Sequence, residues 1–212
     1  MKSKVIFQRQ KEILIVPLST PLYIGLKRSL DFIISFFLLL LLSPILVLFC
    51  IIIPIDSAGS SFFYQQRLGQ NGKKFILIKL RSMGLDAEKN GPQWASKEDP
   101  RVTKIGAFIR RSHIDEIPQL INVLKGDMSL IGPRPEREYF YKEFDTFLPN
   151  FKSRLVVRPG LTGWAQVNGG YNLTPEVKLA FDLYYIKHRS LVMEIKILFQ
   201  TLAIVFTGNG AR

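Results

Sequence analysis

Asp115 and Glu116 are adjacent carboxylates placed just after Arg110 and Arg111. An ionised carboxylate can attack phosphorus and form an acyl phosphate. A divalent cation then relieves the repulsion between carboxylate and phosphate, and magnesium suits hard oxygen ligands. Acidic pairs at a helix start ordinarily do no more than favour the helix dipole. Three features single this pair out. Asp115 is expected to face away from an apolar helical stripe, the two arginines would favour its ionised form, and an apolar anchor elsewhere in the chain would hold it near a membrane.

Arg134 lies in Ile131-Gly-Pro-Arg-Pro135 and Arg158 in Val157-Arg-Pro-Gly160. The guanidinium fork matches phosphate oxygens, and the flanking prolines restrict each loop; read alone, either is equally a surface arginine in a turn. Lys79 and Arg81 alternate along an expected strand and share one face. Asp182 is a lone acid in FDLYYIKH, and a helix-surface ion pair with Lys178 or Lys187 is its simplest role. Trp164, Tyr139, Tyr141, Tyr171, Tyr184 and Tyr185 offer faces for a nucleobase, a sugar or lipid, although core packing is the ordinary use. His113 reads as a solvated or capping residue. The sequence lacks a Walker loop, a dinucleotide fingerprint, a zincin motif and a nucleophile elbow.

These side chains need elements to position them. Ile114, Ile117, Leu120, Ile121 and Leu124 follow a helical period, which predicts a helix opening near Ser112 and closing at Gly126, with Pro118 in its first turns. Phe62–Tyr64 and Phe75–Leu80 read as strands around the turn residues 69–72. Residues 85–102 are polar and broken by prolines, an expected active-site loop. Residues 103–111, 136–147 and 175–187 read as helices, and residues 191–206 as an interfacial one.

The longest signal is the uncharged run from Phe32 to Ile55, broken at Ser43-Pro44. As one helix it reaches about 36 Å at ~1.5 Å per residue, enough for a ~30 Å hydrocarbon core. Pro44 removes a donor and predicts a kink, and the Ser43 hydroxyl can bond a freed carbonyl. Lys27 and Arg28 precede the run, while Arg67, Lys73 and Lys74 follow it. Basic flanks on both sides fit a hairpin with both ends in the cytoplasm, and a kinked crossing helix stays open on this ground alone. A signal peptide fits poorly because the run is long and starts late. The net charge of +12 favours anionic partners, whether acidic lipid, phosphorylated substrate or nucleic acid. Cys50 is the only cysteine, which excludes an internal disulfide and a thiolate zinc cluster.

Leu26-Lys-Arg-Ser-Leu-Asp31, the Ser43-Pro44 break, Lys79-Leu-Arg-Ser-Met83 and Asp115-Glu-Ile-Pro-Gln-Leu120 occur in this order. They are followed by Asn122–Ser129, Ile131–Pro135, Val157–Gly160 and LTGWAQVNG from Leu161 to Gly169. Together they resemble the monotopic polyprenyl-phosphate phosphoglycosyl transferases, the bacterial sugar transferases, over about residues 24–207. The resemblance implies transfer of a sugar 1-phosphate from a UDP-sugar to undecaprenyl phosphate at the cytoplasmic face of the bacterial inner membrane, with UMP released. It implies Asp115 as nucleophile, Glu116 helping it hold Mg2+, Arg134 binding phosphate, and Arg110 and Arg158 near the site. Asp182 falls at an acidic family position, and Lys79 and Arg81 are counted with the substrate-binding residues. The fold implied is a compact α/β domain on the membrane, with a re-entrant helix broken at Ser43-Pro44 and amphipathic interfacial helices. The expected organisation is an extension over residues 1–25, a hairpin over 26–56 and a catalytic domain over 57–212, the minimal form of the family. Membrane lipids are expected partners and nucleic acid is not; a homo-oligomer is compatible with the sequence. A membrane scaffold without catalysis and a tethered nucleic-acid-binding protein are the other classes consistent with charge and anchor.

Overall fold

A computed structural model describes residues 20–89, 91, 99–170 and 173–207. Expectations for Tyr171, for most of the loop around Pro92 and for the first 19 residues lie outside the described part.

Helix α1 spans Pro21–Asp56. The Thr20 hydroxyl accepts from the Tyr23 amide at 3.3 Å and Pro21 occupies the first turn, where its missing amide costs nothing. Pro44 and Pro54 both lie inside the helix. Pro44 leaves the Leu40 carbonyl without its usual donor, and Ser43 Oγ donates to that carbonyl at 2.8 Å, as expected from the Ser-Pro pair. Much of α1 is apolar and uncovered; Leu41 is 72% and Ile55 80% exposed. It is the one helix among the described residues long and apolar enough to cross a membrane.

Both halves of α1 also touch the rest of the chain. Ile34, Leu38 and Leu39 pack on the core formed by Leu120, Val123, Leu130, Tyr185, Ile186 and Ile197. Phe49 and Ile53 pack with Leu80 and Ile109. Polar contacts fix the register. Arg28 donates to the carbonyls of Val123 and Leu124 at 2.6 and 2.8 Å, and Asp31 accepts from Ser129 Oγ at 2.7 Å and from the Leu130 amide at 3.2 Å.

Strands β1 (Phe62–Leu68) and β2 (Lys74–Leu80) form an antiparallel hairpin, with Phe63 opposite Lys79. The turn between them holds Asn71 and Gly72 at positive φ, the chemistry that residues 69–72 announced. Helix α2 (Lys104–Arg111) matches the helix expected over residues 103–111, whereas a 3-10 turn and then helix α3 (Gln119–Lys125) replace the single helix expected from Ser112. Ser112 ends α2, His113 turns left-handed at φ 56°, and Ile114–Glu116 make one 3-10 turn before Pro118 starts α3. The left-handed residue breaks a period that the apolar pattern alone carries through.

Strand β3 (Ser129–Ile131) pairs in parallel with β4 (Gly160–Thr162), a ladder too short to leave a pattern in sequence. The Gly-Pro-Arg-Pro loop after β3 lies tightly on the Arg-Pro-Gly loop before β4. The Gly160 amide donates to the Pro133 carbonyl at 2.9 Å, and a Cβ on Gly160 would collide with the Gly132 amide nitrogen. Helices α4 (Glu138–Asp145), α5 (Trp164–Val167), α6 (Pro175–His188) and α7 (Leu191–Thr207) complete the mixed α/β fold.

Candidate active site

Three elements bring charge to one place. The Asn122 side chain binds the edge of β2, accepting from the Ile78 amide at 3.1 Å and donating to the Ile76 carbonyl at 2.7 Å. That contact docks α3 on the strand that carries Lys79. The turn at His113 then folds Asp115 and Glu116 back towards the same strand. Lys79 Nζ lies 3.0 Å from Glu116 Oε1 and 3.8 Å from Asp115 Oδ2. Arg134 reaches Glu116 from the loop after β3 with both terminal nitrogens, Nη2 to Oε1 and Nη1 to Oε2, the second at 3.3 Å. This is the bidentate use of a guanidinium fork.

The two carboxylates are electrically unlike. Burial pushes the Asp115 carboxyl above its ordinary value, and the Glu116 charge adds to this. Lys79, Arg134 and Arg110 oppose the rise without cancelling it. Burial also acts on Glu116, but Arg134 and Lys79 outweigh it and hold that carboxyl well below its ordinary range. One expectation is corrected here. Asp115 is buried beside Lys79 of β2. The upstream arginines do not make it readily ionised; Arg110 helps, and desolvation wins. Asp115 keeps one cation within 4 Å among the described residues, so it is a buried carboxylate short of neutralising partners.

A second layer holds Arg134. Arg154, from a 3-10 turn over Phe151–Val156, donates to the Arg134 carbonyl at 3.1 Å and pairs with Asp182 at 2.6 Å. Its guanidinium also stands 4.8 Å from the Phe151 ring centroid. Asp182 pairs with Arg154 rather than forming only a helix-surface pair, because α6 turns it inward onto the Phe151 turn, and Lys178 adds a favourable charge one turn away. Arg67 supports the same loop through the Pro135 carbonyl at 3.2 Å and Glu136 at 3.3 Å. Sequence spacing carried no sign of Arg154 or Arg67. Lys178, four residues before Asp182, stands near Arg134, Arg154 and Glu136, and burial lowers its pKa.

A cavity of about 860 Å3 joins these groups to the membrane elements. Lys79, Arg110, Asp115, Glu116, Arg134 and Lys178 line it together with Leu38 and Leu42 of α1 and Leu198 and Leu202 of α7. One space thus offers charge for phosphate and hydrocarbon for a lipid chain.

The sequence matches the bacterial sugar transferase family over residues 22–208. The chain belongs to that family. It is 42% identical over 198 residues to the UDP-N-acetylgalactosamine-undecaprenyl-phosphate N-acetylgalactosaminephosphotransferase of Aeromonas hydrophila, covering 92% of this chain and 47% of that protein. It is 52% identical over 136 residues to a putative undecaprenyl-phosphate N-acetylgalactosaminyl 1-phosphate transferase of Bacillus subtilis, covering 64% of this chain and 76% of the relative. The exopolysaccharide production protein PSS of Rhizobium leguminosarum is 39% identical over 198 residues, which are 87% of this chain and 98% of PSS. The chain spans about half the length of the Aeromonas protein it matches.

The other expected site residues of this family member lie in three places. Arg110 lines the large cavity. Arg81 also borders it, but its guanidinium donates to the carbonyls of Ser57, Ala58 at 2.7 Å and Gly59 at 3.3 Å, tying the end of α1 to β2. Arg158 lines a different, smaller cavity on the other side of β3. Trp164 stacks on Tyr184 and beneath Lys196, while Tyr141 and Tyr185 are core residues. His113 makes no side-chain capping bond; it is half-buried at the wall of the large cavity, and its Nε2 has no hydrogen-bond partner among the described residues.

Asp115 and Glu116 fit magnesium by their chemistry. Among the described residues no cluster of three or more His, Cys or acidic side chains forms a complete cage. Magnesium commonly takes one or two carboxylates and fills its remaining positions with water and phosphate oxygens. A buried carboxylate as poorly neutralised as Asp115 suits such a partner.

Proposed function

We propose that this chain transfers a sugar 1-phosphate from a UDP-sugar to undecaprenyl phosphate, the first step in building a cell-surface polysaccharide. The reading rests on one observation above all. The Asp115–Glu116 pair, with Lys79 and Arg134 on it, shares a cavity with the apolar side chains of α1 and α7.

The reaction runs in two displacements. An Asp115 carboxylate oxygen attacks the phosphorus that bears the sugar. The bond from that phosphorus to the oxygen bridging the two phosphates breaks, and UMP leaves with the electron pair. An oxygen of undecaprenyl phosphate then attacks the same phosphorus. The acyl-phosphate P–O bond breaks, Asp115 is restored as a carboxylate, and the sugar is left on a lipid diphosphate. Lys79 and Arg134 stabilise charge on the phosphoryl oxygens, where fixed donors in a dry site act most strongly. Glu116 orients both cations. Asp115 and Glu116 would hold Mg2+, which when bound supplies charge neutralisation between carboxylate and phosphate.

The same reading places α1 as a re-entrant helix bent at Ser43-Pro44, with residues 57–212 on the cytoplasmic face and residues 1–25 as an extension. It is supported by polar contacts at both ends of the helix with one domain. Lys27 binds Glu194 at 2.5 Å near the start, and Asp56 accepts from the Ile105 amide at 3.1 Å at the end. A crossing helix would separate such ends by ~30 Å of hydrocarbon.

Two relatives are named for N-acetylgalactosamine, and others for glucose or galactose, so the donor sugar is left to experiment. UMP release from a panel of UDP-sugars, with undecaprenyl phosphate and magnesium, tests the proposal. Release is expected from at least one donor and only with Asp115 intact; an Asp115→Asn chain of unchanged rate would refute it.

A further inference from the structure

A second cavity, of about 100 Å3, lies across β3 from Asp115. Leu130 lines the large cavity, whereas its neighbours Ser129 and Ile131 line the small one, as strand alternation requires. At ~30 Å3 per water it has room for about three waters, or for one phosphate group.

Four cations converge on this space: Lys27 and Arg28 from α1, Arg158 from the loop before β4, and Arg189 between α6 and α7. The opposing acids are Asp31, which also lines it, and Glu194 behind Lys27. Among the described residues, four positive against two negative charges leave an excess of two. The acids are already engaged. Asp31 accepts from Ser129 and Leu130, and Glu194 accepts from Lys27, Tyr23 and Tyr185. Arg158 makes no ion pair among the described residues and is half-buried at the cavity wall. The Arg189 guanidinium stands 5.7 Å from the Tyr23 ring centroid. A half-buried guanidinium in a cavity of net positive charge is a site for an anion.

The elements around the cavity point to the source of that anion. Leu22 of α1 and Val192 of α7 are 72% and 77% exposed. They lie on the same helix ends that carry the cations, with Leu26 and Ile195 also uncovered. Basic groups beside uncovered apolar side chains match a headgroup layer, where phosphate lies just above hydrocarbon.

We propose that this cavity binds the phosphate group of an anionic membrane phospholipid, separately from the transfer site. The proposal rests on the reading that α1 is seated in a membrane. The site locks the start of α1 to α6 and α7 through the lipid itself.

Native mass spectrometry of the full chain tests it, using detergent micelles doped with either phosphatidylglycerol or phosphatidylcholine. The wild-type chain is expected to retain phosphatidylglycerol over phosphatidylcholine. Arg158→Ala and Arg189→Ala should each cut that retention about fivefold, from the ~1 kcal/mol that one basic side chain contributes at an anionic lipid surface. Lys152→Ala, which removes an exposed cation paired with Asp145, should leave it unchanged. Equal retention by the Arg158, Arg189 and Lys152 variants would overturn the site. Displacement of the lipid by millimolar inorganic phosphate would reassign the site to a free anion and overturn the lipid assignment. If the membrane reading fails, neither lipid is retained by any variant; if only this site fails, both lipids are retained alike.

Discussion

Arg154 and Asp182 form an ion pair at 2.6 Å from which solvent is excluded, and Arg154 also donates to the backbone carbonyl of Arg134 at 3.1 Å. The loop that aims Arg134 at Glu116 is therefore held from below by a charge that has nowhere else to go. Asp182→Asn leaves that guanidinium buried beside a neutral partner. The expected loss is about 3–5 kcal/mol of stability, typical when one member of a buried pair is removed. Thermal or denaturant unfolding reads it directly, and a loss near zero would mean that Asp182 has no such role.

Lys79 and Arg81, two residues apart on β2, have different tasks. Lys79 faces both carboxylates, whereas Arg81 holds the carbonyls that follow α1. Lys79→Ala should lower kcat by about 10²–10³, the scale for removing a charge-stabilising donor. Arg81→Ala should lower the unfolding temperature while the folded fraction retains most of its kcat. Paired kcat and melting measurements separate the two effects. Equal loss of kcat in both variants would contradict the division.

Stability should depend on pH with opposite signs for the two carboxylates. Burial first, then Glu116, raises the Asp115 pKa above its ordinary 3.8, so the folded chain holds that proton more tightly than the unfolded one. Stability then falls as pH rises from 3.8 through the folded value, and the loss is complete above it. Asp115→Asn removes this cost and should melt higher than wild type at pH 7. Glu116 is shifted down from 4.5, burial being outweighed by Arg134 and Lys79. Its contribution is present above pH 4.5 and is lost as pH falls towards the folded value. Glu116→Gln should melt lower at pH 7. Melting scans from about pH 2 to pH 8 check both signs; a destabilised Asp115→Asn chain would contradict the first.

The seating of α1 is testable by topology. Reporters fused before Lys2 and after Arg212 should both face the cytoplasm. Reporters on opposite sides would require a crossing helix, and with it a different account of how Lys27 and Asp56 reach one domain.

The hairpin, helices α6 and α7 and the Ser43–Leu40 bond were legible because each rests on neighbouring residues: turn glycines, a helical period, a proline and its preceding serine. The break at His113 was not, because the apolar stripe from Ile114 to Leu124 has the same spacing whether or not one residue turns left-handed. Asp115, Glu116, Lys79 and Arg134 could be picked out one by one as charged residues in suggestive settings. Their meeting depends on Asn122 docking α3 to β2, a contact 46 residues apart in sequence. Arg154 and Arg158 show the same limit. Both are arginines near the same loop, and only the tertiary fold sends one beneath Arg134 and the other across β3.

The central claim is that phosphorus passes through Asp115. Mixing the chain with its UDP-sugar and magnesium, without lipid acceptor, should leave one sugar phosphate on the protein. Peptide mass spectrometry should then locate the added mass on Asp115, and undecaprenyl phosphate should remove it. An adduct on another residue, or turnover of the full reaction by Asp115→Asn, would contradict the account.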